Sequence, residues 1–219
     1  MKYSEEELLA LARQAYRKGK ASFAVAAEEC VLLVIDMQDE FVRSHWAPYW
    51  IPEATRQVPK IRRLIDWSRM SRIPVIYTVF SNSHHFMDRP YTGSDMPNRF
   101  PDIQERNPAW FLEGKVVDEL APLAEEIVIH KPSYGAFYDT PLDTILRNMN
   151  KRAVIICGTM TNFCCGTTAR QAYERGYKVI FGSDVCATDD MGLQEAELMV
   201  LRKGFAKVLT SEEIMGLLA

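Results

Sequence analysis

At 219 residues, 47% hydrophobic and 25% charged, the chain has ordinary globular composition and enough length for one sizeable core. Its net charge of -3, with both signs interspersed and no basic cluster, gives no electrostatic footprint for nucleic acid or an anionic membrane, so small-molecule partners are expected. No apolar run approaches a membrane span, and the five cysteines include no C-x-x-C pair and no His at metal spacing, the pattern of a reduced, cytoplasmic protein.

The first stretch, MKYSEEELLALARQAYRKGK, has helical periodicity and predicts a helical extension over about 1–22. Glu5, Glu6 and Glu7 come early and Arg17, Lys18 and Lys20 late, so its charges complement a helix dipole. It lacks the long apolar segment of a secretion signal. Six short β-rich apolar runs follow, at 30–37, 73–80, 125–131, 152–158, 177–184 and 206–209. The first, fourth and fifth are nearly continuous in Val, Ile and Leu, as in strands covered by helices on both faces. Segments with helical spacing lie at about 53–72, 140–150, 162–176 and 189–203. This alternation predicts a three-layer α/β/α sandwich around a mostly parallel, doubly wound sheet, in a single domain over 1–219. The segment 81–115, with Pro90, Gly93, Pro97, Pro101 and Pro108, is too long for an ordinary connection and has the character of a lid or binding loop.

In open parallel sheets ligands gather beyond the carboxyl ends of the strands. Three residues stand there: Asp36 in LLVIDMQDEF, Lys131 in IVIHKPSYGAF and Cys164 in GTMTNFC. Singly, each has a plain explanation, as a turn former, a solvated cation and a small buried hydrophobe. Together they suit covalent chemistry, because a thiol needs a base to become a thiolate and a leaving amine needs a proton donor.

Two adjacent cysteines raise the question of which one reacts. For a helix starting near Thr161, Cys165 shares a stripe with Ala169, Ala172 and Gly176, the spacing of a face packed on a sheet. Cys164 is rotated roughly 100° away. It lies in the first turn, where free backbone N–H groups and the positive dipole end favour a thiolate and can hold an oxyanion. Cys164 is therefore the candidate nucleophile and Cys165 a structural residue.

The succession VIDMQDEF, HKPSYGAF and GTMTNFCCGTTARQAYERGYKVIFGSDVCAT resembles the isochorismatase-like cysteine hydrolases, in the right order from about residue 28 to 213. That superfamily includes nicotinamidases, N-carbamoylsarcosine amidase, ureidoacrylate and biuret amidohydrolases, and isochorismatase. The resemblance implies a catalytic Asp at Asp36, a Lys at Lys131 and a nucleophilic Cys at Cys164. It also implies a non-proline cis peptide at Thr159-Met160 or one bond later. An intact Asp–Lys–Cys set implies C–N bond cleavage of a small amide, carbamoyl or ureido compound through a thioester, with the oxyanion on the backbone N–H groups of Met160, Thr161 and Cys164. The alternatives are an ether-cleaving hydrolase of isochorismatase type that does not use the thiol, and a nicotinamidase.

Metal-dependent nicotinamidases resemble one another in an Asp-x-His motif after the second strand. Here that place reads FSNSHHFMD, and the adjacent His84 and His85 make a poor facial site, so neither metal nor cofactor is expected. Asn82 stands where ureide-hydrolysing relatives place a polar substrate contact. Tyr134, Phe137 and Phe163 are candidates for the pocket lining, with a core role as the alternative. Trp46, Trp50 and Trp110 suit either a lid or an oligomer interface. The expected partners are a small amide or ureide and further copies of the chain, in a dimer or tetramer.

Overall fold

A computed structural model describes residues 3–81, 84, 87–90, 107 and 109–219. Its centre is a six-stranded sheet built from β1 (Cys30–Ile35), β2 (Val75–Phe80), β3 (Ile127–Lys131), β4 (Ala153–Thr159), β5 (Lys178–Ala187) and β6 (Lys207–Leu209). The strand order is β3-β2-β1-β4-β5-β6, and every neighbouring pair is parallel. The sheet is thus wholly parallel where the sequence predicted a mostly parallel one. The chain winds outward from β1 through β2 to β3, then returns to the centre at β4 and winds the other way.

The strands alternate their side chains between two helical layers. In β1, Cys30, Leu32 and Val34 face the layer of α3 (Pro52–Met70), which follows the short helix α2 (Asp39–Val42), and a C-terminal helix (Ser211–Leu217), where Ile61, Leu64 and Ile214 are buried. Val31, Leu33 and Ile35 face the opposite layer, which holds Leu142 and Leu146 of α4 (Leu142–Asn148), Ala169 and Ala172 of α5 (Gly166–Glu174), and Leu198 and Leu201 of α6 (Met191–Gly204). All six β1 side chains are buried, so its apolar run has no polar alternation.

The N-terminal helix α1 (Glu5–Lys18) starts with a capping box between Ser4 and Glu7 and packs against α6. The helix expected over 162–176 is shorter. A π turn at Thr161–Cys165 precedes α5. At its other end Gly176, at φ 85°, closes a Schellman motif, with Tyr177 N–H donating to the Ala172 carbonyl and Gly176 N–H to that of Tyr173. Gly176 is therefore an exposed helix stop and not part of the packed stripe, whereas Cys165, Ala169 and Ala172 are fully buried as that stripe requires.

A second glycine brings the two central strands together. Gly158 of β4 lies beside Ile35 of β1 with φ 122°, and a Cβ built on it would stand 2.0 Å from the Ile35 carbonyl oxygen. Only a residue without a side chain fits, and it does so at the point where the strand order reverses.

Candidate active site

The carboxyl ends of β1, β3 and β4 deliver Asp36, Lys131 and Cys164 to one buried place at this reversal. Asp36 leaves β1 in a left-handed conformation, φ 49°, its N–H donating to the Thr78 carbonyl at 3.1 Å. Thr78, on the neighbouring strand β2, donates its hydroxyl to Asp36 Oδ1 at 2.7 Å. The other carboxylate oxygen, Oδ2, is 2.7 Å from Lys131 Nζ. Lys131 starts two strands away, at the end of β3, and its side chain crosses above β2 to make this contact. Its ammonium also donates to the Ser133 carbonyl at 2.8 Å and lies 5.1 Å from the centroid of the Phe80 ring.

Cys164 sits in the π turn after β4, 5% exposed, while Asp36 and Lys131 are wholly buried. A cis peptide joins Thr159 to Met160 just before this turn. The N–H groups on either side of Cys164, those of Phe163 and Cys165, both donate to the Met160 carbonyl. The Cys164 carbonyl accepts from Thr168 Oγ1 at 2.6 Å, which fixes the turn to α5.

The electrostatics of the three residues are coupled. Burial disfavours the Lys131 ammonium, but Asp36 and Cys164 beside it outweigh that effect and raise its pKa above the ordinary value. Burial pushes the Cys164 thiol well up; Lys131 pulls it part of the way back, and Asp36 pushes it further up. Lys131 acts on the thiol in the direction the sequence implied, and burial acts against it, so the net direction is upward from the ordinary thiol value.

A cavity of about 240 Å³ opens onto Cys164. Tyr134, Phe163 and Met160 line it, as do Phe41, Tyr49, Phe80 and Phe111, with Asp189 at its edge. Phe111 is a hub, with ring centroids 5.4 Å from Phe41, 5.5 Å from Tyr49 and 5.6 Å from Phe80. Two buried polar residues fix this wall. Gln38 exchanges hydrogen bonds with the Phe80 backbone at 2.8 and 3.1 Å, and Glu40 accepts from Gln38 at 2.8 Å and from the Phe111 N–H at 2.7 Å.

Of the expected lining residues, Tyr134 and Phe163 are in place. Phe137 is not: it is buried in the layer of α4 and α5 against Tyr177, 5.8 Å between centroids, because its N–H is held by Gln171. Asn82 and His85 lie outside the described residues, as does much of 81–115. Trp46 packs on Trp110, and Trp50 donates to Thr55 at 2.8 Å, so all three indoles are tied to the body of the protein.

Phe41, Tyr49, Phe80, Phe111 and Asp189 escaped the sequence reading. Phe41 and Phe80 had a signal, since each closely follows or ends a strand that carries or neighbours Asp36. Arg89 also went unnoticed. It is 4% exposed with its guanidinium 4.2 Å from the Phe80 centroid; burial lowers its pKa to about 9, against the opposing pull of Asp88, Tyr134 and Cys164. Metal ligation does not fit the described residues. His84 is an exposed side chain paired with Asp88 at 2.7 Å, and no group of three or more His, Cys, Asp or Glu among the described residues could hold an ion.

An all-parallel, doubly wound sheet with Asp, Lys and Cys at its reversal point defines a class, and residues 30–213 match the isochorismatase domain model. The chain belongs to the isochorismatase-like hydrolase family. It is 30% identical over 190 residues to "Nicotinamidase 3" of Arabidopsis thaliana, covering 84% of this chain and 85% of that one. It is 31% identical over 209 residues to a ureidoacrylate amidohydrolase of Methylorubrum extorquens, covering 84% and 81%. Among solved structures, a cysteine hydrolase from Pseudomonas syringae pv. phaseolicola 1448A superposes with a TM-score of 0.76 at 26% identity, covering 90% of this chain and 95% of that one. None of the described helices is long and apolar enough to cross a membrane.

Proposed function

We propose that this hydrolase cleaves the C–N bond of a small amide, carbamoyl or ureido compound, using Cys164 as nucleophile, Asp36 as proton carrier and Lys131 as the charge that holds them. The observation that carries this reading is the convergence of a buried carboxylate and a buried ammonium on the buried thiol that lines the cavity. Burying an ion pair is expensive, and packed hydrophobic residues would serve stability as well, so its presence argues for chemistry.

Burial raises the thiol's pKa, and in this reading activation accompanies attack. Asp36 takes the Cys164 proton as sulfur bonds to the carbonyl carbon, and the carbonyl oxygen gains the electron pair. The backbone N–H groups of Met160, Thr161 and Cys164 hold that oxyanion. When it collapses, the C–N bond breaks and Asp36 returns its proton to the departing ammonia or amine. Water, deprotonated by Asp36, then opens the thioester, releasing the acid and restoring the thiol. Lys131 keeps Asp36 placed and offsets the negative charge that moves between carboxylate and sulfur.

Ammonia release from a panel of small amides and ureides tests the reaction class. Mass spectrometry of the quenched enzyme tests the intermediate, which should add the acyl mass to the peptide containing Cys164. Full turnover by Cys164→Ala on any substrate would overturn the reading and leave Asp36 to act without the thiol, as in ether cleavage.

A further inference from the structure

We propose that Glu40 is a positioning residue of the cavity at Cys164: its carboxylate, oriented by Gln38, seats the Phe111 ring on the cavity wall, so binding depends on a buried acid that does not itself line the cavity. The inference rests on the reading of that cavity as the reaction site and adds a residue that shapes it.

Glu40 is 3% exposed and has no cationic partner among the described residues. A carboxylate so placed is costly unless its oxygens are answered. One accepts from Gln38 Nε2 at 2.8 Å and the other from the Phe111 N–H at 2.7 Å. Gln38 cannot turn its amide over, because the amide oxygen accepts from the Phe80 N–H and the amide nitrogen donates to the Phe80 carbonyl. Position 40 therefore faces a donor on each side. A carboxylate, with two acceptor oxygens and no donor, satisfies both; an amide answers one and opposes the other with its own N–H.

What the acid holds is a strained residue. Phe111 has φ 57°, a left-handed conformation that is costly for a bulky side chain and persists only where its surroundings impose it. Beyond it the chain is fastened by backbone bonds, from the Asp39 N–H to the Lys115 carbonyl and from the Val117 N–H to the Met37 carbonyl, both at 3.0 Å. Those bonds stop at Lys115, and at Phe111 the hold passes to Glu40. Phe41, the next residue of α2, meets the Phe111 ring, so one helix fixes both the backbone and the ring of the residue that Tyr49 and Phe80 also pack on. Loss of the carboxylate lets Phe111 leave the left-handed conformation and takes from the wall the ring its neighbours share. A staple that served stability alone would leave binding in the cavity unchanged.

The test reads the cavity without turnover. Alkylation of Cys164 in the full chain by N-phenyliodoacetamide, followed by mass spectrometry of the Cys164 peptide at about pH 9, where thiols ionise more readily, gives an apparent binding constant KI and a limiting rate kinact. Iodoacetamide, which has no group to lay on the wall, is the reference reagent. We expect Glu40→Gln to raise KI for N-phenyliodoacetamide by about fivefold or more, the scale of one ring–ring contact, with kinact and the iodoacetamide rate little changed. Glu40→Asp, too short to reach both donors, should give the same split and is run alongside in case the amide variant does not fold. Phe111→Leu should raise KI alike, and Glu40→Gln should add nothing in that background, because both act through one ring. An unchanged KI in the Glu40 variants or in Phe111→Leu, a fall in kinact in place of the rise in KI, or an undiminished effect of Glu40→Gln in the Phe111→Leu background would each overturn the assignment. Failure of every amide and ureide to release ammonia, with the KI pattern as expected, would sink the hydrolytic reading and leave the role of Glu40 standing.

Discussion

The ammonium of Lys131 stands 2.7 Å from Oδ2 of Asp36, and solvent reaches neither residue. Removing one member of a buried pair strands the other, at a typical cost of ~3–5 kcal/mol. Lys131→Met should therefore lose stability on that scale in urea titration, together with at least ~100-fold of kcat/KM. Asp36→Asn should lose as much turnover and also lose stability, because its single amide oxygen can replace only one of the two carboxylate oxygens that accept from Thr78 and Lys131, and the neutral amide leaves the Lys131 ammonium without a counter-ion. Equal stability of Lys131→Met and the unmodified chain would show that the pair is not formed in solution.

Cys164 and Cys165 are adjacent, but only Cys164 lines the cavity, while Cys165 is fully buried with Ala169 and Ala172. Cys164→Ser should abolish turnover with the fold retained. Cys165→Ala should keep most turnover and lose ~1–2 kcal/mol, the size of a small cavity. Comparable loss of turnover in both variants would defeat the division of roles.

The apolar runs placed all six strands to within a few residues, most plainly where a strand is covered on both faces and must be apolar at every position, as β1 is. Asp36, Lys131 and Cys164 were legible for a related reason: each is a polar residue that ends or follows such a run. The cavity wall was not. Phe111 and Tyr49 sit in irregular segments whose sequence has no periodicity, and their places are set by tertiary contacts with Phe41 and Phe80. Phe137 takes the core role that was its alternative, because nearness to Lys131 in sequence says nothing about which face of the chain it presents. The depth of burial around the thiol was not legible either, since helix-start amides and a nearby lysine are visible in sequence and burial is not.

Gly158 marks the tightest approach of β1 and β4. Its φ of 122° is strained for any other residue, and a Cβ would meet the Ile35 carbonyl oxygen at 2.0 Å, a backbone atom that cannot swing aside. Gly158→Ala should force the central strands apart, abolish turnover and lower the melting temperature by about ten degrees, on the order of 2.5–5 kcal/mol for a chain of this size. Calorimetric scanning against Gly216→Ala, whose Cβ meets nothing within 4 Å, controls for substitution itself.

The pH response of Cys164 separates the contributions of its two neighbours. Burial raises the thiol, Lys131 lowers it in part and Asp36 raises it further. In the free enzyme, iodoacetamide should therefore modify Cys164 slowly at neutral pH and faster only well above ~8.5, where an ordinary thiol has already ionised. Lys131→Met removes the lowering charge, so the labelling profile should move to still higher pH. Asp36→Asn removes the raising charge, so it should move down. The same linkage sets stability. An unfolded chain releases the thiol proton near pH 8.5 while the folded chain retains it, so the stabilisation is complete below that pH and is lost as pH rises towards the folded value, by up to ~1.4 kcal/mol per pH unit for each such thiol. The other four cysteines are raised by burial as well, so the Cys164 share is read as the difference in slope between the unmodified chain and Cys164→Ala. A labelling midpoint at or below that of a free thiol, or shifts of the same sign in Lys131→Met and Asp36→Asn, would show that the thiol is activated before substrate arrives and that proton transfer to Asp36 is not part of the attack.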